Sequence, residues 1–205
     1  MRNPALLLLL APALSATAAD TEVCLALYAD TMLAVGDWVA LPGDPDRTMF
    51  GPSLGCEVEL TLRLGLSIWG LTVKYGTYDT GGYVGTGEEP NRVEEAEAHS
   101  VSALGFAGVR MDEGGTVRFW CCLGLGVEWL RARETVGGRD YDYGRIFQPC
   151  PCACLALGAE VFLTEDLFVP VKASYDVSFG QVLGYGGYSG QGTDLVLSLG
   201  LGVVF

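Results

Sequence analysis

Along most of this chain every second residue is apolar, in runs about ten residues long. A β-strand sends successive side chains to opposite faces, so each such run has one bulky apolar face and one mixed face. The runs predicted as strands are Glu22–Asp30, Ser53–Arg63, Ile68–Asp79, Ser100–Met111, Thr116–Arg133, Cys152–Leu163, Leu167–Ser178 and Thr193–Phe205. The connections between them alternate between long (31–52, 80–99, 134–151, 179–192) and short (64–67, 112–115, 164–166). Eight strands joined this way predict an all-β, antiparallel up-and-down barrel with its long loops at one end and tight turns at the other. Beyond the first 19 residues no stretch holds 18 uninterrupted apolar residues, so no membrane helix is predicted.

The two ends of the chain carry the most specific signals. Arg2 precedes an apolar run from Pro4 to Leu14, and Ala16-Thr17-Ala18 or Thr17-Ala18-Ala19 fits a small-x-small cleavage site. Residues 1–19 are therefore expected to be a cleaved secretory signal, leaving 20–205 as one barrel domain. At the other end, Leu195, Leu197, Leu199, Leu201, Val203 and Phe205 share one parity, while Val196, Ser198, Gly200, Gly202 and Val204 share the other. This ending resembles the last strand of bacterial outer-membrane β-barrels, and an even strand number is usual in single-chain members. The resemblance implies that Leu197, Leu199, Leu201, Val203 and Phe205 form the signal read by the barrel-insertion machinery. It also implies an outer-membrane location reached through the periplasm. By pattern, residues 20–205 are similar to the OmpA transmembrane domain and the OmpX type of eight-stranded barrel. The sequence stops at Phe205, so the peptidoglycan-binding domain of OmpA-type proteins is not expected.

Alternation alone also suits a soluble barrel of the lipocalin kind, with the faces exchanged. The second face decides between them. It includes Trp120, Gly124, Gly126, Phe168, Gly200, Gly202 and Val204, a poor surface for water but a reasonable crowded interior. A lipid-facing wall also accounts for 50% hydrophobic residues beside only 18% charged ones. That hydrophobicity excludes a disordered acidic chain. A net charge of −13, with 12 Lys and Arg and no basic cluster, argues against nucleic acid as a partner. Removal of 1–19 would take away Arg2 and no acid, leaving −14.

The inward set contains the acids Glu57, Glu59, Glu128, Glu160 and Asp176 and the bases Arg63, Lys74, Arg110, Arg118 and Lys172. Arg110 depends on the fourth strand, whose parity is ambiguous because Leu104 and Phe106 oppose Ala103, Ala107 and Val109. Five against five predicts interlocked ion pairs that plug the lumen, because buried charges are costly unless paired. The alternative is a narrow channel for small hydrophobic molecules, as in OmpW-like barrels. Excess negative charge falls in the loops: Asp79, Glu88, Glu89, Glu94, Glu95 and Glu97 face only Arg92 across 79–99, a net of −5. Two other loops carry Tyr141 and Tyr143, and Tyr185 and Tyr188. Expected partners are outer-membrane lipid, the insertion machinery during biogenesis, and a host or envelope surface met through these loops.

No cofactor, metal or catalytic residue is predicted. The lipid A deacylase pattern wants His and Ser two positions apart on one strand face, and the residue two positions after the single His99 is Val101. A nucleophile without an oriented base is not a site. The seven cysteines leave three readings open: small apolar wall residues, a disulfide near a loop, or a metal cluster around Cys150, Cys152 and Cys154. Strand rise places Cys122 roughly 20 Å from that cluster.

Overall fold

The computed structural model describes residues 21–35, 40–41, 44–48, 53–79, 93–111, 115–136, 139–142, 149–181 and 189–205. Eight long strands form its wall: β1 (Thr21–Val35), β4 (Ser53–Leu64), β5 (Ser67–Asp79), β6 (Val93–Arg110), β7 (Val117–Val136), β9 (Cys150–Phe162), β10 (Leu167–Gln181) and β11 (Ser189–Val204). Two short strands, β2 (Ala40–Leu41) and β3 (Asp44–Thr48), pair with each other, and β8 (Arg139–Asp142) extends the loop end of β7. Each wall strand pairs antiparallel with its sequence neighbour in the wall, and β1 pairs with β11, so the sheet has no free edge. The signal expected at 1–19 lies outside the described residues.

The registers fix the tilt. A walk around the wall from Leu25 passes Leu60, Leu71, Gly105, Leu125, Ala153, Val177 and Thr193 and returns to β1 at Val35, ten residues along. With eight strands this stagger tilts them roughly 40° and gives a wall radius of about 8 Å. The turn after β4 is a two-residue hairpin, with Leu64 opposite Ser67 and Gly65 at φ 57°. Glycine takes that left-handed conformation without steric cost, which lets Leu64-Gly65-Leu66-Ser67 turn.

The bulky parity faces outward. Leu54, Val58, Leu60, Leu71, Leu123, Leu125, Leu197, Leu199 and Leu201 are all exposed on the outside of the wall. Outward aromatic residues bracket this belt, with Trp69, Phe119 and Phe205 toward the turn end and Tyr75, Trp129 and Tyr175 toward the loop end. Phe119 and Trp129 stand ten positions apart on β7, a rise of roughly 25 Å at this tilt, matching the apolar band of membrane barrels. A surface this apolar meets lipid.

Two expectations need correction, and one open reading is resolved. The strands run further toward the loops than apolar alternation indicates: β6 starts at Val93 and β7 ends at Val136. Part of the acidic 79–99 segment is therefore strand, with Asp79 opposite Glu97. Backbone pairing outlasts the lipid band, and beyond it nothing selects apolar side chains. On β6, Leu104, Phe106 and Arg110 are buried inside while Val101 and Val109 face out, which resolves the ambiguous parity. Cys122 is not remote from Cys154. It pairs with Ala156, and Cys154 pairs with Gly124 two positions away, because β9 runs beside the first part of β7, from Val117 to Glu128.

Inside, large rings lie over glycines on the neighbouring strand. Trp120 is opposite Gly158 and Phe168 is opposite Gly202, and a Cβ at either glycine would overlap the ring. We expect Gly158→Val to destabilise the folded barrel by about 1–3 kcal/mol through overpacking. Urea unfolding in detergent micelles measures it, and an unchanged midpoint would mean that Trp120 can move aside.

Candidate functional site: the barrel lumen

The inward parity brings the chain's charged residues into a lumen only wide enough for side chains. They occupy three levels. At the turn end, Glu22 on β1 meets Arg63, Arg110 and Arg118 at 3.2 Å each, from β4, β6 and β7. Arg63 also pairs with Glu160 on β9. Arg110 donates to the carbonyl of Gly65 at 2.7 Å, tying the floor to the first tight turn. The guanidiniums of Arg63 and Arg118 sit over Phe168 and Phe162, at 5.1 and 4.1 Å from the ring centres. Such stacking holds a desolvated cation on a ring face.

At the middle level, Lys172 on β10 bonds Glu57 and approaches Glu59 at 3.3 Å, with its ammonium 4.2 Å above the Tyr28 ring. Lys74 on β5 reaches Asp176 at 2.8 Å and Glu57 at 3.8 Å. Thr72 donates to Glu57, and Thr61 donates to Glu59 at 3.1 Å. These shared contacts join β4, β5 and β10 across the lumen.

The loop-end level is different. Tyr78 donates to Asp194 at 2.9 Å, and Ser178 donates to Glu128. Asp30 on β1 is buried lower down, opposite Ser198 and near Glu57, Lys74 and Lys172 of the middle level. No Lys or Arg among the described residues pairs with Asp30, Glu128 or Asp194. The sequence reasoning missed Glu22, Asp30 and Asp194. With them the interior holds eight acids and five bases among the described residues, not five and five. Parity could have found all three, since Glu22 and Asp30 are in phase with Cys24, Ala26 and Tyr28, and Asp194 with Val196 and Ser198.

Other singled-out residues take these places. Leu197, Leu199, Leu201 and Phe205 are exposed and Val203 half-buried on the outer face, and the Phe205 amide donates to Val23 at 2.9 Å. His99 also faces outward, 3.0 Å from the Tyr75 hydroxyl and 3.0 Å from Glu97, while Ser100 is buried on the opposite side of the wall. Imidazole and serine hydroxyl are thus separated by the sheet. Cys24, Cys122, Cys152 and Cys154 are buried inside, and Cys56 is exposed on the lipid side. Lys74 lies 3.9 Å from the Cys154 sulfur. Among the described residues no three His, Cys, Asp or Glu side chains gather as a metal cage. Glu88, Glu89, Arg92, Tyr143, Tyr185 and Tyr188 lie outside the described residues.

Two solved structures share this arrangement of strands. Neisserial surface protein A is 13% identical with a TM-score of 0.50, over 90% of this chain and 97% of its own. Ail, the attachment invasion locus protein of Yersinia pestis, is 13% identical with a TM-score of 0.50, over 91% of this chain and 99% of its own. This chain has the fold of the small eight-stranded outer-membrane β-barrels. No family model and no curated protein matches the sequence. The apolar outer belt and the shared fold make it an outer-membrane protein of the OmpA/OmpX-like architecture.

Glu22 is the hub of the floor. Its replacement by Ala leaves three guanidiniums with one remaining carboxylate, and we expect a loss of about 1–3 kcal/mol. Exposed Glu165→Ala in a tight turn should change stability by less than ~0.5 kcal/mol. Parallel urea titrations check both, and equal midpoints for the two variants would remove the hub role.

Proposed function

We propose that this protein is a sealed outer-membrane barrel that works through its outer mouth and loops, in surface interaction or envelope integrity, and performs no catalysis. The floor carries this reading: three arginines from three strands converge on Glu22, with Phe162 and Phe168 packed beneath two of them. A conducting lumen needs a continuous wet path, and paired guanidiniums stacked on rings occupy that cross-section. The separation of His99 from Ser100 by the wall supports the non-catalytic part of the reading. The name of Ail, an attachment protein of the same fold, is in keeping with work done at the outer surface.

Under the same proposal, residues 1–19 are cleaved on export, and Leu197, Leu199, Leu201, Val203 and Phe205 are presented to the insertion machinery. The alternative, a conduit for small hydrophobic molecules, calls for an apolar tunnel. The two lumen cavities described, of about 30 and 10 Å³, form no such tunnel: each is small, and beside apolar side chains such as Leu104 and Phe106 they are lined by charged groups that include Lys74, Glu128, Asp194, Glu57 and Lys172.

Planar-bilayer recording tests the seal. The wild-type barrel should show no steady open level, and the triple variant Arg63→Ala, Arg110→Ala, Arg118→Ala should leak. A stable wild-type conductance of defined size would overturn the sealed reading.

A further inference from the structure

The lumen shows how this chain accommodates buried carboxylates, and it does so unevenly. In the lower two levels Glu22, Glu57, Glu59 and Glu160 each have an ammonium or guanidinium partner. Toward the loops the cations run out. Asp176 and Asp194 stand directly opposite each other on β10 and β11. Like charges so placed repel. One oxygen of each is occupied, Asp176 Oδ2 by Lys74 at 2.8 Å and Asp194 Oδ2 by Tyr78 at 2.9 Å. The other oxygen of each, Asp176 Oδ1 and Asp194 Oδ1, is buried with no hydrogen-bond donor among the described residues. Asp194 is only 7% exposed, so water outside the barrel does not satisfy it. A buried carboxylate oxygen left this way is costly, and two of them share one place.

Both aspartates line a single cavity of about 30 Å³, together with Lys74, Tyr78, Ser100, Glu128 and Ser178. A space of ~10–15 Å³ or more by this measure admits one water-sized group. The cavity therefore holds the headgroup of a ligand but not its body. It lies at the loop-facing end of the lumen, above the paired middle level.

We propose that the outer mouth of this lumen binds one primary ammonium group between Asp176 and Asp194. An ammonium offers three donors and no acceptor, complementing two carboxylate oxygens and a hydroxyl. The chain itself supplies the precedent, because Lys74 presents an ammonium to the same Asp176 from below. A metal ion fits less well, since Asp176, Asp194 and Glu128 line the cavity without forming a group that could hold a metal among the described residues. The ligand is thus an amine on an extended body that approaches from the loop side, such as a lysine side chain of a partner or an alkyl amine. This inference does not require a sealed floor, and it is tested without measuring conductance.

Isothermal titration calorimetry of the folded barrel in detergent micelles, with butylammonium as probe, decides the matter. Tetramethylammonium and calcium chloride serve as competing cations. Saturable one-to-one binding of butylammonium is expected, weakened roughly tenfold or more by Asp194→Asn, with little binding of tetramethylammonium, which has no N–H. Asp176→Asn provides a second variant should Asp194→Asn not fold, as judged by far-ultraviolet circular dichroism. The proposal is overturned by an absence of saturable butylammonium binding or by equal binding of tetramethylammonium. It is equally overturned by an affinity that both variants leave unchanged, or by calcium binding more tightly at the same aspartates.

Discussion

A closed wall of eight strands sends every second side chain into a space about as wide as those side chains. Everything else in this molecule follows from that constraint. On the outside lipid accepts any bulky apolar group, so Leu, Val and aromatic residues accumulate without having to fit one another. On the inside there is neither lipid nor enough water, so each charged group needs a partner within reach and each large ring needs a small neighbour. The ion pairs of Glu22, Arg63, Lys74 and Lys172 meet the first demand, and glycines opposite Trp120 and Phe168 meet the second.

The interior is graded along the barrel. Its floor is rich in arginine and stacked on rings, its middle alternates lysine with glutamate, and its mouth is acidic. Guanidiniums suit the floor because one planar group can pair with a carboxylate while lying on a ring. The compact ammonium of Lys74 bridges acids of β4 and β10, and that of Lys172 on β10 holds two acids of β4, which ties distant staves together across the lumen. The mouth lacks such bridges, and the acids there rely on the hydroxyls of Tyr78 and Ser178. Charge balance is therefore local, and the unbalanced end is the one that faces the loops.

Much of this was legible in the sequence because parity survives in a linear reading. The eight strands, their alternating connections and the outward face of the last strand follow from which residues are apolar at every second position. Register does not survive in the same way. Strand position says that Arg63 and Glu160 point inward, but only the ten-residue stagger says that they meet. The same gap misplaced Cys122, which lies near the start of its own strand yet beside Cys154 of the next. Strand ends beyond the lipid band were hidden because no apolar selection marks them. Strand β6 was obscure because Ala103, Gly105 and Ala107 weaken the outward face that parity depends on.

The claim that inward charges hold the wall together by pairing, and do not merely share a space, rests most simply on Arg63 and Glu160. Glu160 has no other ion-pair partner among the described residues. A double-mutant cycle with Arg63→Met and Glu160→Gln, followed by urea unfolding in micelles, measures their coupling. Pairing predicts that the two losses are strongly non-additive, with a coupling of about 1.5 kcal/mol or more. Losses that add to within ~0.5 kcal/mol would contradict it.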